Sequence, residues 1–140
     1  MMREPRYLVD TSVLARAHQP KIGERLESLV LGGRLWTCRV IDLELTYASR
    51  ARDVSTVAEA RRALPEAPVT PAAMDRALEV MEALAARNQH RGAKSTDCII
   101  AACAESAGLV LLHYDDDFDR IAAVTGQRAE WAAPAGTLDR

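Results

Sequence analysis

The chain has 140 residues, 49% of them hydrophobic and 27% charged, with a formal net charge of −2 at pH 7. That length suits a single domain with one core, expected to span residues 1–140. The charge balance excludes a protein that coats nucleic acid over its whole surface, so a nucleic-acid partner would have to be met by a local patch.

In chain order, Tyr7-Leu8-Val9 reads as a short buried strand running into Asp10, with Thr11 or Ser12 expected to cap a helix over residues 12–18. In an open α/β sheet, ligands bind just beyond the carboxyl ends of strands, so Asp10 is a site candidate. Pro20 opens a second helix that buries Ile22, Leu26 and Leu29 and stops at Gly32-Gly33. Residues 35–38 read as a second strand.

A helix follows over residues 40–50. Stepped at 100° per residue, its apolar side chains form one broad face with Glu44 near the middle, while Asp42 is expected on the opposite, solvated side. A carboxylate in a buried stripe is costly without a partner. A modest helix over 53–63 is stopped by Pro65, and residues 67–70 are expected to form a short edge strand. Thr70-Pro71 then opens a long helix to about Asn88.

Arg87, His90, Arg91 and Lys94 make the following loop basic, a candidate for contacts with RNA phosphates, with Arg16 and Lys21 weaker candidates of the same kind. Ser95 or Thr96 is expected to cap the next helix, with Asp97 in its first turn where the helix dipole favours an anion. Residues 98–104 are apolar all round, as in a central helix against a sheet, and far short of the roughly 18 residues a membrane span needs. Cys38, Cys98 and Cys103 form no CxxC pair, are odd in number, and fit reduced thiols. With no signal-like N-terminal apolar segment, a cytoplasmic protein without a membrane partner is expected.

Residues 109–112 read as a parallel strand covered on both faces, running to His113 and the acidic run Asp115-Asp116-Asp117. A helix over 117–124 and a strand near Glu130-Trp131 complete an alternating pattern, which predicts an α/β fold. Its central, mostly parallel sheet would be flanked by helices. The tail, residues 132–140, is expected to be loose.

Asp10 and Asp115 follow strands that share a carboxyl edge. Asp97 is expected at the opposite edge, so for it to join them the preceding loop would have to cross the top of the sheet. If Asp10, Glu44, Asp97 and Asp115 do gather, two unit charges ~4 Å apart repel by about 4 kcal/mol at an effective dielectric of about 20. Protonation or a divalent cation must then relieve the cluster, and an all-oxygen cage suits Mg²⁺ or Mn²⁺.

These pieces resemble the PIN-domain ribonucleases, and most closely the VapC-type toxins of toxin–antitoxin pairs. The likeness rests on YLVDTSVL around Asp10, IDLELTYA around Glu44, and the stretch 95–118 that holds Asp97 and Asp115. It implies a PIN-like three-layer sandwich and places Asp97 in the acidic site. It further implies a Mg²⁺- or Mn²⁺-dependent endoribonuclease that cleaves RNA to inhibit translation or growth, leaving a 3′-hydroxyl and a 5′-phosphate. Asp10, Glu44, Asp97 and Asp115 would be the catalytic and metal-site acids, Asp117 the reserve for the fourth, and Thr11 a supporting hydroxyl. A VapB-type antitoxin and a homodimer are implied as partners. One departure is His113, where many relatives carry threonine. The rival expectations are a PIN-like module that binds RNA or protein without cleaving, and a phosphoacceptor receiver domain. The receiver is disfavoured because Asp10 stands alone after the first strand.

Overall fold

A computed structural model describes residues 4–139. Strand β1 (Tyr7–Val9) lies inside a four-stranded sheet with β2 (Leu35–Trp36) on one side and β3 (Val110–His113) on the other. The fourth strand, β4 (Ala129–Trp131), flanks β3, and every pairing is parallel. Register matches Tyr7 to Val110, Leu8 to Leu111 and Val9 to Leu112.

Alternation along these strands builds the layers, because successive side chains leave opposite faces. Leu8 and Leu111 point into one core with α3 (Arg39–Ala48), α5 (Pro71–Ala86), α6 (Ser95–Ser106) and α7 (Asp117–Thr125). Tyr7, Val9, Val110 and Leu112 point into the other, where α2 (Pro20–Leu31) supplies Ile22, Leu26 and Leu29. The result is the expected α/β three-layer sandwich. Helix α6 is the most buried of the described helices: Ile100, Ala101, Cys103 and Ala104 are all inside, and filling a core with a side chain of isoleucine size is worth about 1.5–3 kcal/mol. All three cysteines are free and buried, as core residues are.

Several local expectations change. Helix α1 covers only Thr11–Leu14, and the chain then continues as turns bonded i to i−3. Pro20 holds Gln19 in an extended conformation (φ −79°, ψ 125°), which ends the helical run. The cap of α1 is Asp10 itself, accepting the Ser12 N–H, and α6 begins after Lys94, with neither Ser95 nor Thr96 capping it. Residues 67–70 form no strand. A single parallel bridge joins Thr37 to Glu66, and the ladder stops there because Arg39, which would make the next rung, is already in helix α3.

On α3, Asp42 is not solvated. It is 5% exposed, accepts the Thr37 hydroxyl at 2.7 Å and pairs with Arg39 at 3.1 Å. Thr37 and Asp42 flank the helix start at the positions of a hydrophobic staple, joined here by a hydrogen bond. The apolar residues of that helix are split instead: Ile41 is buried, whereas Leu43 and Tyr47 are exposed. Asp42→Ala, which strands the Thr37 hydroxyl, should cost about 1–3 kcal/mol in urea unfolding. An unchanged midpoint would show the pair to be idle. The tail is tied back, since the Leu138 N–H donates to the Tyr114 hydroxyl and Asp139 exchanges two hydrogen bonds with the Gln19 side chain.

Candidate active site

Four elements meet at the carboxyl edge of the sheet. Asp10 leaves β1 with its N–H donating to the Leu112 carbonyl at 2.9 Å, which fixes it beside the end of β3. Its Oδ2 caps α1 by accepting the Ser12 N–H at 2.9 Å, while Oδ1 is buried with no hydrogen-bond partner. The cap therefore occupies one oxygen and leaves the other unpartnered.

Glu44 arrives from α3, half-buried, and its Oε1 accepts the Thr11 hydroxyl at 3.0 Å. The partner this carboxylate needs is thus a hydroxyl rather than a cation. Helix α6 ends three residues before β3 and runs back against it, so its first turn lies at the carboxyl edge. Asp97 reaches the cluster directly, and the expected crossing of the preceding loop is unnecessary. Asp115 follows β3 by two residues, and its Oδ1 accepts the Asp117 N–H at 3.0 Å.

Asp10, Glu44, Asp97 and Asp115 line one cavity of about 220 Å³ with Thr11, Ser12, Ala15 and Lys94. Asp97, Asp115 and Asp117 each bring a carboxylate oxygen within 4.8 Å of the other two. Unlike Asp97 and Asp115, Asp117 is ion-paired to Arg120, which also donates to the Gly92 carbonyl at 2.9 Å. Of the basic loop, Lys94 reaches the cavity wall; Arg87, His90 and Arg91 do not line it.

Burial pushes the Asp97 carboxyl up to about 7, helped by the charges of Asp10 and Asp115 and opposed by Lys94. Burial likewise raises Asp10, with the Glu44 charge adding to it against hydrogen bonds from Ser12. Asp117 is raised by burial and by Asp115, against the pull of Arg120. Burial lowers His113, whose ring lies between Phe118 and Trp131.

The donor set fits a divalent cation. Asp10 Oδ1 and Asp97 Oδ2 are buried acceptors with no partner. Unpaired buried charge is expensive, and hard oxygen ligands match Mg²⁺ or Mn²⁺.

The PIN domain model matches residues 7–124. This chain belongs to the PIN-domain family, among its VapC-type ribonuclease toxins. Ribonuclease VapC21 of Mycobacterium tuberculosis is 45% identical over 134 residues, covering 94% of this chain and 97% of that protein. Ribonuclease VapC51 of the same organism is 43% identical, covering 96% and 98%. The DNA-bound VapBC structure from Salmonella typhimurium has the same fold, with a TM-score of 0.77 at 22% identity over 93% of this chain and 100% of that one.

Two site features of this PIN domain escaped sequence reasoning. Arg120 stands three residues after Asp117 on one helix, a spacing that signals an ion pair and was available in the sequence. Ser12, whose hydroxyl accepts the Tyr114 N–H at 2.9 Å, ties α1 to the segment leading into Asp115 across 102 residues. No local pattern announces such a contact.

Proposed function

We propose that the chain is a metal-dependent endoribonuclease, the toxin of a VapBC-type pair, with the acidic cavity as its active site. The observation that carries this is the pair of buried, unpartnered oxygens, Asp10 Oδ1 and Asp97 Oδ2, in one cavity with Glu44 and Asp115. Asp10, Asp97 and Asp115 would hold Mg²⁺ or Mn²⁺, with Asp117, close to Asp97 and Asp115 but ion-paired to Arg120, in reserve as the fourth acid. When bound, such an ion supplies charge neutralisation at a phosphoryl oxygen and a more acidic water.

The chain's own residues do the rest. Glu44, held at Oε1 by Thr11, has Oε2 free to orient a water for in-line attack and take its proton. Lys94, at the cavity wall, offers its ammonium to the RNA backbone, and Arg87, His90 and Arg91 extend that cationic approach. The products would carry 3′-hydroxyl and 5′-phosphate ends.

The likeness to VapBC complexes from Salmonella typhimurium and Rickettsia felis supports a VapB-type antitoxin as partner. A homodimer, expected in sedimentation at micromolar concentration, belongs to the same proposal. A cytoplasmic location belongs to the same proposal; no helix among the described residues is long and apolar enough to cross a membrane.

The test is incubation of purified protein with bulk RNA in Mg²⁺, then in EDTA. Cleavage with 5′-phosphate ends is expected in Mg²⁺ and should disappear in EDTA. Equal cutting in both, or none in either, would reject the proposal.

A further inference from the structure

We infer that His113 is a positioning residue for Asp115, acting through its Nδ1; the inference rests on the metal-site reading above. The Asp115 N–H donates to His113 Nδ1 at 3.3 Å. That bond fixes the backbone just where the chain leaves β3 and turns to present the Asp115 carboxylate. One carboxylate oxygen, Oδ1, accepts the Asp117 N–H, which steadies the carboxylate on the same turn.

The ring has little freedom to move. His113 is fully buried, with ring centroids 5.2 Å from Phe118 and 5.0 Å from Trp131. With Nδ1 accepting, the neutral ring carries its proton on Nε2, and Nε2 is buried without a partner. Packing alone would be better served by leucine, which leaves no polar atom stranded. The imidazole is thus poor filler, and what it adds over an apolar side chain is the acceptor facing Asp115. Partners hydrogen-bonded to a ligating side chain typically change metal affinity by about 10–100-fold when removed, and His113, which holds the ligand's backbone instead, is expected at the lower end of that range.

The decisive comparison is His113→Leu, which keeps the volume and loses the acceptor, against His113→Asn, whose Oδ1 replaces Nδ1 but packs less well. Mn²⁺ affinity is read without RNA, by electron paramagnetic resonance of metal-free protein titrated with Mn²⁺, alongside thermal unfolding. His113→Leu should bind Mn²⁺ about tenfold more weakly or worse without losing stability, and His113→Asn should bind near the wild-type value despite lower stability. A filler role gives the reverse order. Wild-type affinity in His113→Leu, or equal losses in the two variants, overturns the inference alone. A wild type that binds no Mn²⁺ sinks the metal-site reading together with it.

Should either variant fail to fold, the wild type still decides. Ring nitrogen chemical shifts of ¹⁵N-labelled protein should show His113 protonated at Nε2 and bare at Nδ1. A proton on Nδ1 overturns the inference.

Discussion

Asp97→Asn and Asp10→Asn, made singly, should each cut RNA at least a hundredfold more slowly than the wild type while remaining folded. Each substitution removes a charge from a buried oxygen that no protein group satisfies. A catalytic ion is worth several kcal/mol, and each roughly 1.36 kcal/mol is a decade in rate. Initial rates on one RNA, measured across a Mg²⁺ series, separate weaker binding from a lost site. Saturating Mg²⁺ should not restore either variant. Wild-type rates from folded Asp97→Asn would remove the acidic cavity from the chemistry. Lys94→Gln, by contrast, should slow cleavage mainly at low RNA concentration, since its role is backbone contact.

The second large effect is on stability. The Asp97 carboxyl sits at about 7 in the folded, metal-free protein, against 3.8 for an ordinary aspartate. Between those values the folded state binds more protons than the unfolded one, so stability falls as pH rises from about 4 to about 7. The penalty is absent below the lower value and complete above the upper one. Its ceiling is on the order of 4 kcal/mol, from ~1.4 kcal/mol per pH unit. Asp10 and Asp117, raised in the same direction, add to the trend. In EDTA at pH 8, Asp97→Asn should therefore be more stable than the wild type, and at pH 3.5 the two should coincide. Mg²⁺ at pH 8 should return most of the difference to the wild type alone. Parallel urea midpoints for the two proteins at every pH would contradict this.

The legible parts of the fold were those whose signal is local. Thr70-Pro71 marked the start of α5 because a capping hydroxyl and a first-turn proline act within one turn, and Thr70 does accept the Ala73 N–H. The run into His113 marked β3 because burial on both faces leaves no polar alternation. The acidic site was legible in its strand-end members, Asp10 and Asp115. Asp97 was assigned to it through resemblance, while the spacing argument pointed the wrong way by overlooking that α6 returns against β3.

Asp42 and Glu44 show where periodicity stops. A wheel drawn for α3 sends Asp42 to solvent, yet Thr37, outside the helix, turns it inward. The same wheel marked Glu44 as needing a partner but could not name one. The partner is the Thr11 hydroxyl, from a helix start 33 residues earlier.

The pairing of β1 with β3 also governs when the acidic cavity comes into being during synthesis. Tyr7 waits for Val110, and Asp10 for Leu112, so the first strand leaves the ribosome long before its inner neighbour exists. Long-range parallel pairing of this kind is slow. The acidic cavity is therefore assembled only once the last quarter of the chain has emerged, whatever the earlier segments have done by then.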